Sequence, residues 1–136
     1  MKIDGRCHCG KITYEAEIDP AAVSICHCTD CQQMAGSAFR VNVRAPASHF
    51  VIRGEPTSYI KTAESGNRLR HAFCGDCGTP IYSCALENPQ TYNLRIGAVV
   101  QRTVLVPRRQ GWRHSAPAWV DDLADMPATP KSASPT

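Results

Sequence analysis

The sequence predicts an all-β protein built from short strands, with at most one or two short helical turns. Short segments of alternating polar and apolar residues recur along the chain, about 8–12 residues apart, with Gly-, Pro- and Asn-containing turns between them. No segment of about twelve residues has the apolar period of an amphipathic helix. Both observations favour a sandwich or a barrel-like arrangement of the strands.

The candidate strands follow one another along most of the chain. The clearest covers residues 11–18 (KITYEAEI), in which every second side chain is apolar, as in a half-buried strand. A short strand at 23–26 precedes one expected helical turn over 30–35, which Thr29 would cap and Gly36 would end. Further strands are predicted at 38–44, 50–53, 57–61, 67–73, 80–85 and 91–96.

Length and composition predict a single domain with a tail. A chain of 136 residues with 43% hydrophobic and 20% charged residues is long enough to bury a core. We expect the domain to span residues 1–126 and a Pro-, Ser- and Thr-rich tail to span 127–136. The net charge of +3 does not by itself indicate a nucleic-acid partner, and no apolar run is long enough to cross a membrane.

The eight cysteines are the most informative residues. Their even number is compatible with disulfide bonds, but the N-terminal segment MKIDGRCHCG lacks the apolar stretch of a secretory signal. We therefore expect a cytoplasmic protein whose thiols stay reduced. Metal binding is the better prediction because most of the cysteines lie in tight clusters: Cys7-x-Cys9, Cys26-x-Cys28-x2-Cys31 and Cys74-x2-Cys77.

Two of these clusters supply the four thiolates of a closed zinc site. Tetrahedral zinc holds its sulfur ligands about 3.8 Å apart, and a Cys-x2-Cys turn provides that spacing. Glycines beside both pairs allow the backbone to turn tightly there. We predict a structural zinc that joins the start of the chain to its middle, with the ligands Cys7, Cys9, Cys74 and Cys77.

The third cluster offers three thiolates within six residues, at Cys26, Cys28 and Cys31. Three protein ligands and an open position are typical of a reactive zinc site. Spacing alone leaves a second alternative open, in which Cys84 or a histidine closes the site; Cys84 is otherwise expected to be a small buried side chain. His27 lies between two candidate ligands, so its ring should point away from the ion, and it is our candidate for proton handling.

Taken in order, these motifs resemble the glutathione-dependent formaldehyde-activating family, to which centromere protein V belongs. The resemblance runs from about Gly5 to Trp119. It rests on three motifs in the order and spacing of the family: Gly5-x-Cys7-x-Cys9-Gly10, Cys26-His27-Cys28-x2-Cys31 and Phe73-Cys74-x2-Cys77-Gly78-Thr79.

The resemblance implies a zinc-pinned β-tent fold with two zinc ions per chain. It implies a structural zinc on the closed set of four cysteines and a second, open zinc on Cys26, Cys28 and Cys31. The implied activity is that of a carbon–sulfur lyase of the S-(hydroxymethyl)glutathione synthase type. Its substrates would be a small thiol, glutathione, and an aldehyde such as formaldehyde.

Two other classes of function are compatible with parts of the sequence. A non-catalytic zinc β-module that binds a protein partner would need both metal sites closed. Nucleic-acid binding is disfavoured because the basic residues between 102 and 113 are followed directly by acidic residues and have few aromatic neighbours. A homo-oligomer is compatible with the sequence.

Five arginines lie on predicted strands. We expect their side chains on solvated faces of the sheets, and we assign none of them to a site: Arg40, Arg44, Arg53, Arg68 and Arg70.

Overall fold

A computed structural model describes residues 1–131 and confirms the all-β prediction. The single α-helix, α1, spans Thr29–Ala35, and the remaining helical segments are short 3-10 turns. Ten strands make up most of the regular structure: β1 Lys2–Arg6, β2 Thr13–Glu17, β3 Val23–Cys26, β4 Arg40–Pro46, β5 Phe50–Arg53, β6 Thr57–Thr62, β7 Arg68–Phe73, β8 Pro80–Ala85, β9 Thr91–Arg95 and β10 Arg109–Gly111.

The strands form two sheets. The smaller has three strands in the order β1-β2-β5, and the larger has seven in the order β10-β3-β4-β9-β8-β7-β6. All neighbours are antiparallel except β10, which runs parallel to β3. The hairpins between consecutive strands explain the even spacing of turn signals in the sequence.

The core joins the small sheet to one face of the large sheet. The predicted alternation in β2 is observed, because Tyr14 is 1% exposed and Ala16 is 5% exposed while the intervening residues face solvent. An aromatic group around the partly buried Phe50 packs against this core, and the ring centroid of Phe50 lies 4.6 Å from that of Tyr92. The large sheet contributes its apolar face, which includes Val23, Val43, Leu94, Ala72 and Cys84.

The opposite face of the large sheet is polar. Register places Cys26 opposite Arg40, and Asn42 opposite Arg95. On the adjacent strands β7 and β8, His71 lies opposite Ser83. Residues that are directly opposite in register share a face, so these side chains form a continuous polar layer. Helix α1 lies against this layer, and its Asp30 forms an ion pair of 2.5 Å with Lys61 on β6.

The C-terminal segment lies outside this core. Of the predicted tail, residues 127–131 have no regular secondary structure, and 132–136 lie outside the described residues. The side chains of Trp112 and Trp119 in this segment are 61% and 48% exposed. The extent of the domain, residues 1–126, stays a prediction. No helix within residues 1–131 is long and apolar enough to cross a membrane.

Candidate functional site

Two loops from distant parts of the chain bring four thiols together. The Sγ atoms of Cys7, Cys9, Cys74 and Cys77 all lie within 4.8 Å of one another. Cys7 and Cys9 follow β1, and their sulfurs are 3.6 Å apart; Cys9 Sγ is 3.7 Å from that of Cys74, in the β7–β8 loop. These separations match the roughly 3.8 Å expected between ligands of one tetrahedral zinc ion. The donor set therefore fits a structural metal.

Local backbone geometry prepares this first site. Gly10 and Gly78 adopt φ values of +84° and +79°, which let both loops turn sharply beside the sulfurs. The Ile12 amide donates to Cys7 Sγ at 3.3 Å. Thr79 Oγ1 lies 3.2 Å from Cys77 Sγ, and this hydrogen bond lowers the pKa of the Cys77 thiol to about 5. The loop thus favours the thiolate, which is the form that binds metal.

The second cluster is built where β3 ends and α1 begins. Cys26 is the last residue of β3, Cys28 is the N-cap of α1, and Cys31 lies in its first turn. Their Sγ atoms also lie within 4.8 Å of one another. The expected N-cap, Thr29, is instead the first helical residue, because Cys28 Sγ accepts the Cys31 amide at 3.3 Å. Sulfur thus takes the capping role that an oxygen usually fills.

The second cluster fits a metal with three protein ligands. Among residues 1–131, no other Cys, His, Asp or Glu joins this group. Burial, together with hydrogen bonds to Cys28 and Cys26, raises the pKa of the Cys31 thiol, so this thiol is protonated at neutral pH in the absence of a metal ion. Cys26 and Cys28 are only partly buried, whereas Cys31 is buried. The cluster is therefore reachable from outside on one side.

Cys84 does not complete this cluster. It lies on β8 within the hydrophobic core, is 4% exposed, and faces the opposite side of the large sheet from Cys26. Burial also raises the pKa of its thiol. The structure confirms the expectation of a small buried side chain and removes Cys84 as a fourth ligand.

His27 is fixed by its neighbours. Its ring is 1% exposed, packs edge-on against Phe39, and places Nε2 2.7 Å from Gln110 Oε1 on β10. Nδ1 is buried and has no hydrogen-bond partner within the described residues. Gln32 holds the backbone of the same segment, because its Nε2 donates to the His27 carbonyl at 2.7 Å and to Ser115 O at 3.0 Å. Contacts with strand β10 and with the segment after it thus hold the residues between Cys26 and Cys31 in place.

Sequence reasoning missed the polar layer beneath α1. Arg40 was expected on a solvated strand face but is only 9% exposed, and Arg95 is 7% exposed. His71 is 8% exposed, and its Nδ1 lies 3.2 Å from Arg95 Nη2. Burial and the adjacent positive charges of Arg95, Arg40 and Lys61 lower the pKa of His71 to about 4. Neutral His71 therefore accepts a hydrogen bond from the guanidinium.

The positive charges of this polar layer interact electrostatically with Cys31 of the second cysteine cluster. The positive charge of Arg40 favours the thiolate of Cys31, although burial outweighs it in setting the pKa of that thiol. Burial lowers the pKa of Arg95, and a Cys31 thiolate would oppose that effect. Arginine remains protonated at neutral pH, so the layer holds two buried positive charges.

A two-sheet β fold with two cysteine clusters, each of which could hold a metal ion, defines this molecule as a small β protein with two candidate metal sites. The chain belongs to the glutathione-dependent formaldehyde-activating enzyme family, whose model matches residues 2–115. Its fold is also similar to the crystal structure of a Rhodobacter sphaeroides protein from a structural genomics programme. That likeness has a TM-score of 0.60 at 22% identity and covers 79% of this chain and 98% of the other.

Proposed function

We propose that this protein joins a thiol, glutathione, to an aldehyde such as formaldehyde. In this reaction the sulfur–carbon bond forms, the carbonyl π bond breaks, and the thiol proton ends on the new hydroxyl group. The product is an S-hydroxymethyl thiol, and the reverse reaction is a carbon–sulfur cleavage. The observation that carries the proposal is the convergence of Cys26, Cys28 and Cys31 without a fourth protein donor in residues 1–131.

In the proposed site, Cys26, Cys28 and Cys31 hold a zinc ion, and the closed set Cys7, Cys9, Cys74 and Cys77 holds a second, structural one. A zinc ion held by these three cysteines would supply affinity for a thiolate and would lower the pKa of a bound thiol. The chain contributes proximity by holding the thiol beside the aldehyde. His27 is the proposed proton acceptor, since its buried Nδ1 has no partner within the described residues while Gln110 fixes the ring.

A direct test follows the reaction by NMR with 13C-formaldehyde and glutathione. We expect the protein to accelerate formation of the S-hydroxymethyl adduct above the spontaneous rate. Cys28→Ser should return the rate to the spontaneous value, whereas Cys84→Ala should retain the acceleration because Cys84 lies in the core. Equal rates with and without the wild-type protein would refute the proposal.

A second test measures metal content by elemental analysis. We expect two zinc ions per chain, one of which responds to glutathione, for example through a changed cobalt spectrum after substitution. If glutathione changes the spectrum of neither ion, the result would instead favour the alternative function, a non-catalytic module that binds a protein partner. This alternative is supported by three large apolar side chains that are exposed at the surface, those of Trp112, Trp119 and Leu123. The cytoplasmic location and the oligomeric state stay predictions.

A further inference from the structure

A cavity of about 340 Å³ opens beside the second cysteine cluster. Its wall is formed by the end of α1 and the loop after it, by β4, by Thr79 and Pro80 at the start of β8, and by the segment from Arg95 to Ala98. The only charged side chains that line it within the described residues are Arg40 and Arg95. Its volume lies within the range of roughly 300–1,000 Å³ that is typical of small-molecule sites.

Neither guanidinium group in this cavity is in direct contact with a carboxylate of residues 1–131, although the charges of Arg40 and of Asp30 on α1 interact at longer range. No ion pair within residues 1–131 includes either arginine. Arg95 donates from Nη1 to Asn42 Oδ1 at 2.7 Å and contacts His71 Nδ1 from Nη2, so neutral groups orient it. Buried positive charge without a counter-ion is costly, and two such charges side by side are more so. An anion within the cavity would relieve that cost.

The cavity and the cysteine cluster share their supporting elements. Cys26 is the register partner of Arg40 on neighbouring strands, so the thiol and the guanidinium project from the same face of the sheet. On α1, Cys31 precedes Met34 and Ala35 of the cavity wall by three and four positions, which places them on one side of the helix. A ligand that reaches Cys26, Cys28 and Cys31 can therefore extend into the cavity.

We propose that this cavity binds a carboxylate of the thiol substrate through Arg40 and Arg95. The inference rests on the proposed function and deepens it, because it names two residues, Arg40 and Arg95, that would position the thiol substrate beside the second cysteine cluster. Guanidinium groups bind carboxylates through paired, charge-assisted hydrogen bonds. Arg95 is held in place by Asn42 and His71, while Arg40 has no ion-pair partner in residues 1–131 and provides the second contact.

Titration calorimetry with four ligands tests this proposal. The ligands are glutathione, its glycyl ethyl ester, S-methylglutathione and cysteamine. The proteins are the wild type, Arg40→Gln and, as a matched control, Arg44→Gln, because Arg44 is exposed on the same strand. We expect the ester and Arg40→Gln each to weaken glutathione binding about ten- to a hundred-fold, the loss typical of a charge-assisted hydrogen bond. Arg44→Gln should bind as the wild type does.

S-methylglutathione separates this proposal from the proposed function, because it retains both carboxylates but offers no thiolate. If S-methylglutathione binds to the wild type but not to Arg40→Gln, the carboxylate site is supported even if no adduct with formaldehyde forms. Conversely, equal affinity for glutathione and its glycyl ester, unaffected by Arg40→Gln, overturns the carboxylate site while thiol binding stands. Cysteamine that binds as tightly as glutathione would also overturn it.

Discussion

Cys26 and Arg40 lie directly opposite each other on the antiparallel strands β3 and β4. This pairing places a candidate metal ligand and a buried guanidinium on the same face of the large sheet. The opposite face of the same sheet belongs to the hydrophobic core and carries Cys84. The large sheet therefore separates two environments for cysteine. Cys26 lies on the polar face beneath α1, and Cys84 lies on the apolar face that packs in the core with the small sheet.

This separation predicts different effects of the same substitution at two cysteines. Cys26→Ser should lower the metal content from two ions per chain to one and leave the fold intact. Cys84→Ser should keep both ions but reduce the free energy of unfolding by about 1–3 kcal/mol, because it buries a hydroxyl among apolar groups. Elemental analysis and urea denaturation measure the two quantities. Loss of an ion from Cys84→Ser would contradict the assignment of the two faces.

The four-cysteine cluster should determine stability more strongly than the three-cysteine cluster. It joins the β1–β2 loop to the β7–β8 loop, whose cysteines are more than sixty residues apart, as the Cys9–Cys74 contact shows. Structural zinc sites contribute on the order of 10 kcal/mol to folding in small domains. We therefore expect Cys74→Ser to leave the chain largely unfolded, whereas Cys26→Ser gives a cooperative transition. Circular dichroism during urea denaturation distinguishes them, and matching transitions would refute the ranking.

The sequence predicted the cysteine clusters and most strands because both are local signals. Strand β10 was missed because Arg109–Gly111 contains no apolar residue and is defined only by pairing with distant β3. Strand β1 was missed because Gly5 occupies a core-facing position and leaves the alternation short. The burial of Arg40 depends on α1 covering the polar face, which is a tertiary relationship that alternation within one strand does not reveal.

His71 should make the stability of the protein depend on pH. Its pKa is lowered from 6.5 to about 4 by burial and by the charges of Arg95, Arg40 and Lys61, with Asp30 opposing them. The unfolded chain therefore binds a proton at a higher pH than the folded chain does. The stabilisation is fully present above about pH 6.5 and is lost as the pH falls towards 4, by up to about 3 kcal/mol.

A comparison with His71→Gln isolates this contribution. Glutamine retains an oxygen that can accept from Arg95 but does not titrate, so the variant should lose less stability than the wild type between pH 6.5 and 4. Thiolate protonation affects both proteins alike and cancels in the difference. Urea denaturation at several pH values provides the measurement. Parallel pH profiles for the two proteins would contradict the lowered pKa, because they would mean that His71 titrates alike in the folded and unfolded chains.

The contact between Gly5 and Tyr14 should tolerate no side chain at position 5. A Cβ built on Gly5 would lie 1.9 Å from the Tyr14 ring, and that ring is 1% exposed and cannot move into solvent. Because such overpacking typically costs about 1–3 kcal/mol, Gly5→Ala should lower the midpoint of thermal unfolding by several degrees. Gly97→Ala is the matched control, since its Cβ would meet nothing within 4 Å. Equal midpoints for the two variants would mean that β1 shifts away from Tyr14 at little cost, and that the small sheet packs less tightly than this contact indicates.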